Sequence, residues 1–187
     1  DMATGKVFGV EALIRWVHPE KGIIPPLKFL PVIEDTQLEI EIGDWVIRQA
    51  LKQLNEWQEQ GIQLEVSVNI SSYHLQTPSF VADLEVALNL YPDVFSKSLQ
   101  LEILESSALG DLNTIAGVLS ACIYALGVNI ALDDFGTGYS SLTHLRNFPV
   151  HTIKIDQTFV RDVLDDPSDY SIIDGVIGLA ESFGRDI

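Results

Sequence analysis

Segments with the two-residue period of β-strands alternate with helical segments along nearly the whole chain. Strands are predicted at Val7–Arg15, Leu64–Ile70, Leu99–Leu104, Val128–Asp133 and Thr152–Asp156, with helical patterns between them. Repeated β-then-α units imply parallel strands with helices outside. A doubly wound open sheet and a (β/α)8 barrel both fit this order of elements.

The strand interiors favour the barrel. An open sheet covered by helices on both faces should have near-continuous hydrophobic strands. Here one face of each predicted strand carries an ordered series of polar residues. The residues that share these faces are Gly9, Glu11, Leu13 and Arg15, then Ser67 and Asn69, Gln100 and Glu102, Asn129 and Asp133, and Lys154 and Asp156. A polar column that recurs on every strand indicates a barrel whose lumen carries a site at its C-terminal mouth.

Local signals predict where helices and loops begin. Thr36 followed by Glu39 is typical of a capping box, and Gly61 should end the helix that follows. Thr77–Pro78 predicts the start of another helix. Further predictions are a loop at residues 18–26 (HPEKGIIPP), a helix cap at Asp111, and core positions for Trp45 and Trp57.

Length and charge limit the function classes. A chain of 187 residues predicts a single domain over residues 1–187, and its net charge of −16 argues against a nucleic-acid polymer as partner. An acidic site can still bind a small phosphate ligand through divalent cations. No apolar run approaches a membrane span, so we expect no membrane contact by this segment. Cys122 cannot form an internal disulfide, which fits a cytoplasmic location.

Oxygen donors lie at or near the C-terminal ends of four predicted strands. They are Glu11, Asn69, Glu102, Asp133 and Asp134. A donor set made of oxygens, with almost no His or Cys, indicates a hard cation such as Mg²⁺ or Mn²⁺. Adjacent acids at a strand end can hold two ions about 3.5–4 Å apart, as in phosphodiester hydrolysis.

Lys154 and the loop at residues 134–141 each have two interpretations. Lys154 could activate water or neutralise charge on a phosphate, or it could only balance buried carboxylates. The loop DFGTGYSS is rich in glycine but lacks the lysine of a P-loop. We therefore interpret it as a site loop rather than as a phosphate cradle.

Five motifs together resemble one protein family. EALIRW (Glu11–Trp16), NIS (Asn69–Ser71), EILE (Glu102–Glu105), DDFGTGYSSL (Asp133–Leu142) and KID (Lys154–Asp156) occur in the order and strand context of the EAL family of bacterial cyclic di-GMP phosphodiesterases. The resemblance covers essentially the whole chain. It implies an EAL-type modified TIM (β/α)8 barrel that hydrolyses cyclic di-GMP to linear pGpG with Mg²⁺ or Mn²⁺.

The resemblance also implies a role for each matching position. The ligands of one metal are resembled by Glu11, Asn69, Glu102 and Asp133, and those of a second metal by Asp133 and Asp134. Lys154 resembles the residue that activates water, and Asp156 resembles its supporting acid. Arg15 resembles a phosphate contact, Leu13 a wall of the guanine pocket, and Glu105 the acid that anchors the loop. Asp134 is also counted among the substrate-binding residues. A homodimer through the region near the DDFGTGYSSL loop is implied as well.

The resemblance implies more chain than these residues provide. The family's first, seventh and eighth strands have no counterpart here, and its AEGVE motif would supply one more metal-binding glutamate. We therefore expect the fragment alone to be inactive, and assign the chemistry to the parent domain, which could be the cytoplasmic domain of a membrane-anchored sensor. Two alternatives remain open: an inactive cyclic di-GMP receptor, and a regulatory scaffold for a diguanylate cyclase domain.

Overall fold

The computed structural model describes residues 1–105, 112–137 and 141–187. The predicted helix cap at Asp111 lies outside these residues. The chain divides into two compact units, Asp1–Gln100 and Leu101–Ile187, and each is described by itself.

The first unit contains four strands and four helices before its last strand begins. In chain order they are β1 (Gly9–Ala12), β2 (Trp16–His18), β3 (Gly22–Ile24), α1 (Leu30–Ile33), α2 (Gln37–Glu59), β4 (Glu65–Asn69), α3 (Ser72–Leu75) and α4 (Phe80–Asn89), with 3-10 turns at Pro26–Lys28 and Ser96–Ser98. β5 (Leu99–Leu104) begins in this unit and continues into the next.

The second unit carries the remaining strands and helices. They are α5 (Leu112–Tyr124), β6 (Asn129–Phe135), α6 (Ser141–Asn147), β7 (Thr152–Ile155), α7 (Gln157–Arg161) and α8 (Pro167–Ser182). Each predicted strand therefore has an observed counterpart, with helices between successive strands of the main sheet.

The main sheet has the hydrogen-bonding order β1-β4-β5-β6-β7. β1 pairs with β4 in parallel, with Glu11 opposite Ser67, and β6 pairs with β7 in parallel. The β6–β7 register shifts between Leu132 and Phe135, which lengthens β6 locally at the two acids Asp133 and Asp134. The parallel pairing predicted from the β/α alternation is confirmed for both of these pairs.

Each unit has its own hydrophobic core. In the first unit α2 packs on β4 and α4, and buries Ile47, Ala50, Leu51 and Leu54. In the second unit α5 contacts β6 and α8 contacts β7. Cys122 lies in this second core, and burial raises the pKa of its thiol to about 11, as expected for a structural cysteine.

No helix in the described part of the chain is long and apolar enough to cross a lipid bilayer.

The prediction around the first strand is wrong in two respects. The strand Val7–Arg15 is observed only over Gly9–Ala12, so Leu13 and Arg15 lie beyond it and do not share its face. The segment predicted as a loop at residues 18–26 instead contributes to an antiparallel hairpin in which Trp16 pairs with Ile24. The Trp16 ring also packs edge-on against Phe29, and this contact adds a tertiary stabilisation that local turn signals do not reveal.

Helix starts were also predicted imperfectly. Glu39 accepts a hydrogen bond from the backbone N–H of Asp35 at 2.7 Å, so the predicted capping box with Thr36 does not form. The hydroxyl of Thr77 donates to the carbonyl of His74 at 2.8 Å, and the helix predicted to begin at Thr77–Pro78 begins at Phe80.

The prediction that Trp45 belongs to the core is wrong, because its side chain is 53% exposed on α2. Trp57 is half-buried.

His74 joins three helices of the first unit. Its side chain is 2% exposed, its Nε2 atom lies 3.1 Å from Asp44 Oδ1 on α2, and its ring packs edge-on against Phe80 of α4. Gly43 lies so close that a Cβ atom there would overlap the imidazole ring. The absence of a side chain at Gly43 is therefore a condition for this contact.

Replacing Gly43 by alanine should destabilise the protein, although alanine is the better helix former. The new methyl group would have to displace His74, and overpacking of this kind costs about 1–3 kcal/mol. The matched control is Gly175→Ala in the middle of α8, where the added Cβ meets nothing within 4 Å. That control should stabilise by about 0.5–1 kcal/mol. Urea unfolding measures the free energy of unfolding of both variants. Equal effects of the two substitutions would contradict the close packing of Gly43 against His74.

The buried imidazole of His74 should make stability depend on pH. Burial lowers the pKa of His74 below its usual value of 6.5, against the opposing effects of Asp44, Asp83 and Glu39. A lowered histidine pKa means that the unfolded chain takes up a proton before the folded chain does. The contribution of neutral His74 to the free energy of unfolding is therefore fully present above pH 6.5. It falls as the pH drops from 6.5 towards the lowered pKa of the folded state. Unfolding free energies from pH 7 to 5.5 should show a shallower pH slope for His74→Gln than for the native chain; parallel slopes would refute this.

Candidate functional site

Glu11 and Asn69 meet at the carboxyl ends of two adjacent strands in the first unit. Parallel pairing of β1 with β4 brings these ends together, and the Asn69 amide donates to Glu11 Oε1 at 2.9 Å. Both side chains are exposed. Two oxygen-bearing side chains thus face solvent at the edge where ligands bind in parallel α/β proteins.

Leu13 and Arg15 follow Glu11 on the segment between β1 and β2. The Leu13 side chain is 55% exposed. Arg15 is also exposed, and its guanidinium donates to the carbonyl of the neighbouring Ile14 at 2.8 Å. An exposed apolar side chain and a guanidinium therefore lie on the same short segment as Glu11.

Lys154 is the centre of the cluster in the second unit. Its ammonium lies 2.8 Å from Glu102 Oε2 and 3.5 Å from Asp133 Oδ2. The Glu102 side chain is 1% exposed, whereas the Lys154 side chain is 31% exposed. A carboxylate removed from water in this way requires a nearby cation or hydrogen-bond donors, and Lys154 supplies the positive charge.

Asp134 follows Asp133 in a left-handed backbone conformation with φ +54°. Burial raises the pKa of Asp134, and the negative charge of Asp133 raises it further. The charge of Asp156 also contributes to raising the pKa of Asp134. Like charges that lie near one another disfavour full ionisation of the group.

Asp156 has a structural role as well as a place in the cluster. It is the N-cap residue of α7, and its Oδ1 atom accepts hydrogen bonds from the backbone N–H of Thr158, at 2.7 Å, and from the Thr158 hydroxyl. These hydrogen bonds from the Thr158 hydroxyl and backbone lower the pKa of Asp156. The carboxylate is thus held ionised by the helix that it begins.

Glu105 contacts the start of the glycine-rich loop. Its side chain is 1% exposed, and its Oε2 atom accepts from the Gly136 N–H at 3.0 Å. Gly136 has φ +104°, and the Phe159 ring occupies the space where a side chain would point. Of the predicted loop Asp133–Leu142, residues 138–140 lie outside the described residues.

The donor chemistry of these residues suits a hard divalent cation. Carboxylates and one amide supply oxygen ligands. Burial, and after it the charge of Asp133, raises the pKa of Asp134, and a bound cation would favour the ionised form of this carboxyl. Within the described ranges, however, no three His, Cys, Asp or Glu side chains converge closely enough to form a metal site. The Lys154 ammonium instead lies between Glu102 and Asp133.

The structure brings several of the predicted residues into contact. Glu11 contacts Asn69 in the first unit. In the second unit Lys154 contacts both Glu102 and Asp133, and Glu105 contacts the loop at Gly136. Sequence reasoning missed Thr158, although an aspartate followed two residues later by threonine after a strand is a helix-cap signal that could have identified it.

Comparisons with known proteins agree with the motifs. The family model described as the EAL domain matches residues 1–187. A cyclic di-GMP phosphodiesterase of Pseudomonas aeruginosa is 40% identical over 98% of this chain and 31% of its own length. The phosphodiesterase PdeR of Escherichia coli is 36% identical over 98% of the chain and 27% of its own length. The chain thus spans less than a third of these two relatives.

Solved structures give the same relationship. The PaMucR phosphodiesterase in complex with c-di-GMP has a TM-score of 0.88 and 36% identity, covering 97% of this chain and 73% of that one. The FimX EAL domain from Pseudomonas aeruginosa, bound to c-di-GMP, has a TM-score of 0.83 and 30% identity, covering 94% and 69%.

Removing the Lys154 charge should destabilise the metal-free protein. Lys154→Met leaves the buried Glu102 carboxylate without its cation, which should cost about 2 kcal/mol, less than for a fully buried pair because Lys154 is 31% exposed. The double variant Lys154→Met/Glu102→Gln should recover most of that loss. Urea unfolding in the presence of a chelator measures both variants.

The matched control is Lys52→Met, which breaks an exposed pair with Glu56 at 3.8 Å. It should change stability by no more than about 0.5 kcal/mol. A loss for Lys154→Met no greater than that of this control would show that the buried pair is not stabilising.

Proposed function

The chain belongs to the EAL domain family, and we propose that its domain hydrolyses cyclic di-GMP as a phosphodiesterase. Two relatives that match nearly the whole chain are named cyclic di-GMP phosphodiesterases. Structural neighbours at 30% identity or more were solved with cyclic di-GMP bound. Since the chain spans less than a third of those relatives, this proposal concerns the activity of the domain.

The fold is that of the EAL-type modified (β/α)8 barrel, of which the described chain contains five strands of the main sheet. Membership in this fold decides between the two architectures that the β/α alternation left open. In such a barrel the active site lies at the carboxyl ends of the strands. Glu11, Asn69, Glu102 and Asp133 all lie at or near such ends.

The observation that carries the proposal is the contact of the Lys154 ammonium with two carboxylates. A lysine held at 2.8 Å and 3.5 Å from Glu102 and Asp133 lies where it can orient a water molecule or stabilise charge on a phosphate. Its 31% exposure leaves it accessible to a ligand. A lysine that served only to neutralise the core would not need this access.

We infer that divalent cations, Mg²⁺ or Mn²⁺, complete the site. Glu11, Asn69, Glu102 and Asp133 would hold one ion, and Asp133 with Asp134 would hold a second. Bound there, the ions would lower the pKa of a water and stabilise the attacking and leaving oxygens of the phosphodiester. The residues offer the oxygen ligands that these ions prefer.

The remaining residues have roles in positioning and binding. Lys154 acts on the attacking water, and Asp156 supports it from the start of α7. Glu105 holds the loop at Gly136, as its hydrogen bond supports. Arg15 and Leu13 bind the substrate, the guanidinium by contact with a phosphate and the leucine against a guanine base; the exposure of both side chains supports this assignment.

Water attacks one phosphorus of the cyclic dinucleotide, and the bond from that phosphorus to one ribose oxygen breaks. The product is linear pGpG, and the departing oxygen takes up a proton. We further propose that the protein forms a homodimer through the region near the DDFGTGYSSL loop.

The purified parent domain with Mg²⁺ or Mn²⁺ should convert cyclic di-GMP to pGpG, and Glu102→Gln in that domain should reduce kcat by at least about 100-fold, since it removes a ligand charge from the site. Chromatography of the nucleotide products measures this conversion. Glu59→Gln is the control: Glu59 pairs with Asn55 on the surface of α2 and should leave kcat unchanged. Binding of cyclic di-GMP without turnover by the native protein would instead identify a receptor.

A further inference from the structure

We propose that Phe159 is a positioning residue for the reaction, because its ring holds the backbone at Gly136, where the glycine-rich loop leaves β6. The inference rests on the proposed function in so far as Asp133 and Asp134, which precede Gly136, belong to the active site. Phe159 lies on α7 and is half-buried, whereas the other four residues of that helix are exposed. It is therefore the side chain that α7 turns away from solvent.

The Phe159 ring packs against the backbone of Gly136. A Cβ atom at Gly136 would lie 3.0 Å from Cε2 of Phe159 and 3.7 Å from both Cδ2 and Cζ. Gly136 has φ +104°, a conformation that residues with a side chain rarely adopt. Gly22, Gly61 and Gly184 also have positive φ, but a Cβ atom at any of them would meet nothing within 4 Å. Gly136 therefore differs from these turn glycines, because an aromatic ring lies against it.

A second group holds Gly136 from the other neighbouring strand. The buried carboxylate of Glu105 accepts the Gly136 N–H at 3.0 Å. Glu105 follows β5 and Phe159 follows β7, and β6 lies between these two strands in the sheet. One hydrogen bond leaves the peptide free to tilt about the line that joins nitrogen and oxygen. The ring limits that movement, so the start of the loop is held from both neighbouring strands.

The acids of the site lie two and three residues before Gly136. The carbonyl of Asp133 accepts the N–H of Glu105 at 3.0 Å, which anchors the chain just before Asp134. Asp134 itself has φ +54°. Rotation of the short backbone segment between Asp134 and Gly136 would move the Asp134 carboxylate. Glu105 before this segment and Phe159 after it together fix the direction in which that carboxylate points.

The test compares Phe159→Ala, which removes the ring, with Phe159→Tyr, which keeps it. The primary measurement is hydrogen exchange of the Gly136 amide in the metal-free parent domain, followed by NMR with isotope-labelled glycine. Phe159→Ala should speed this exchange at least about tenfold, because the bond to Glu105 opens more often when the ring no longer limits the movement. Phe159→Tyr should stay within about twofold of the native rate. An unchanged rate in Phe159→Ala would overturn the proposal, whatever the protein catalyses.

The matched control is Phe148→Leu in the core of the same unit. The Phe148 side chain is 1% exposed, and the substitution should lower the midpoint of thermal unfolding because it leaves a cavity. It should nevertheless leave the exchange rate of the Gly136 amide within about twofold of the native value, since local opening governs that rate. An acceleration equal to that of Phe159→Ala would assign the effect to a general loss of stability and contradict the proposal.

Kinetics of the parent domain give the second measurement. Phe159→Ala should lower kcat about tenfold with little change in KM, as expected when a carboxylate of the site is less well positioned. Phe159→Tyr should keep kcat within about twofold of the native value. Equal losses in the two variants, or a native kcat in Phe159→Ala, would contradict the proposal. If the native parent domain has no phosphodiesterase activity, the proposed function fails, but the exchange rates of Gly136 still decide whether Phe159 holds the loop.

Discussion

The attraction between the Lys154 ammonium and the carboxylates of Glu102 and Asp133 is the interaction on which the second unit depends. Five acids lie within a few residues of the ends of β5, β6 and β7, namely Glu102, Glu105, Asp133, Asp134 and Asp156, and their mutual repulsion opposes folding. The chain stabilises these charges in three ways. Lys154 supplies a positive charge, Glu105 accepts the N–H of Gly136, and Asp156 caps α7. Each of these contacts also fixes the position of a carboxylate that could bind a cation.

The regular part of the fold was predictable because its pattern is strong and its ends are marked. α2 follows an apolar stripe that stops at Gly61, whose φ of +74° is the conformation expected there. The hairpin Trp16–Ile24 was not predictable, because strands of three residues are too short to show a period. The helix at Phe80 begins later than its local signal because the Thr77 hydroxyl is used by the preceding turn.

The position of the candidate site residues at strand ends was predictable, but the contacts between them were not. Residue type and position at strand ends selected the acids and Lys154, because parallel pairing places those ends along one edge. Which carboxylate Lys154 approaches most closely depends on rotamers and burial, and no pattern in the sequence encodes a distance of 2.8 Å to Glu102. The hydrogen bonds from Thr158 to Asp156 form in the first turn of α7, and the predicted strand concealed that turn because it included Asp156.

The left-handed backbone at Asp134 has an evolutionary consequence. Aspartate and asparagine tolerate this conformation better than other residues with a side chain, because their short polar groups bond locally. A lineage that changes this codon by a single nucleotide from aspartate to asparagine therefore keeps the loop geometry while it removes a negative charge. If the domain has the proposed activity, loss of catalysis and loss of the fold are separated at this position, and drift could convert the enzyme into a binding protein without an unfolded intermediate.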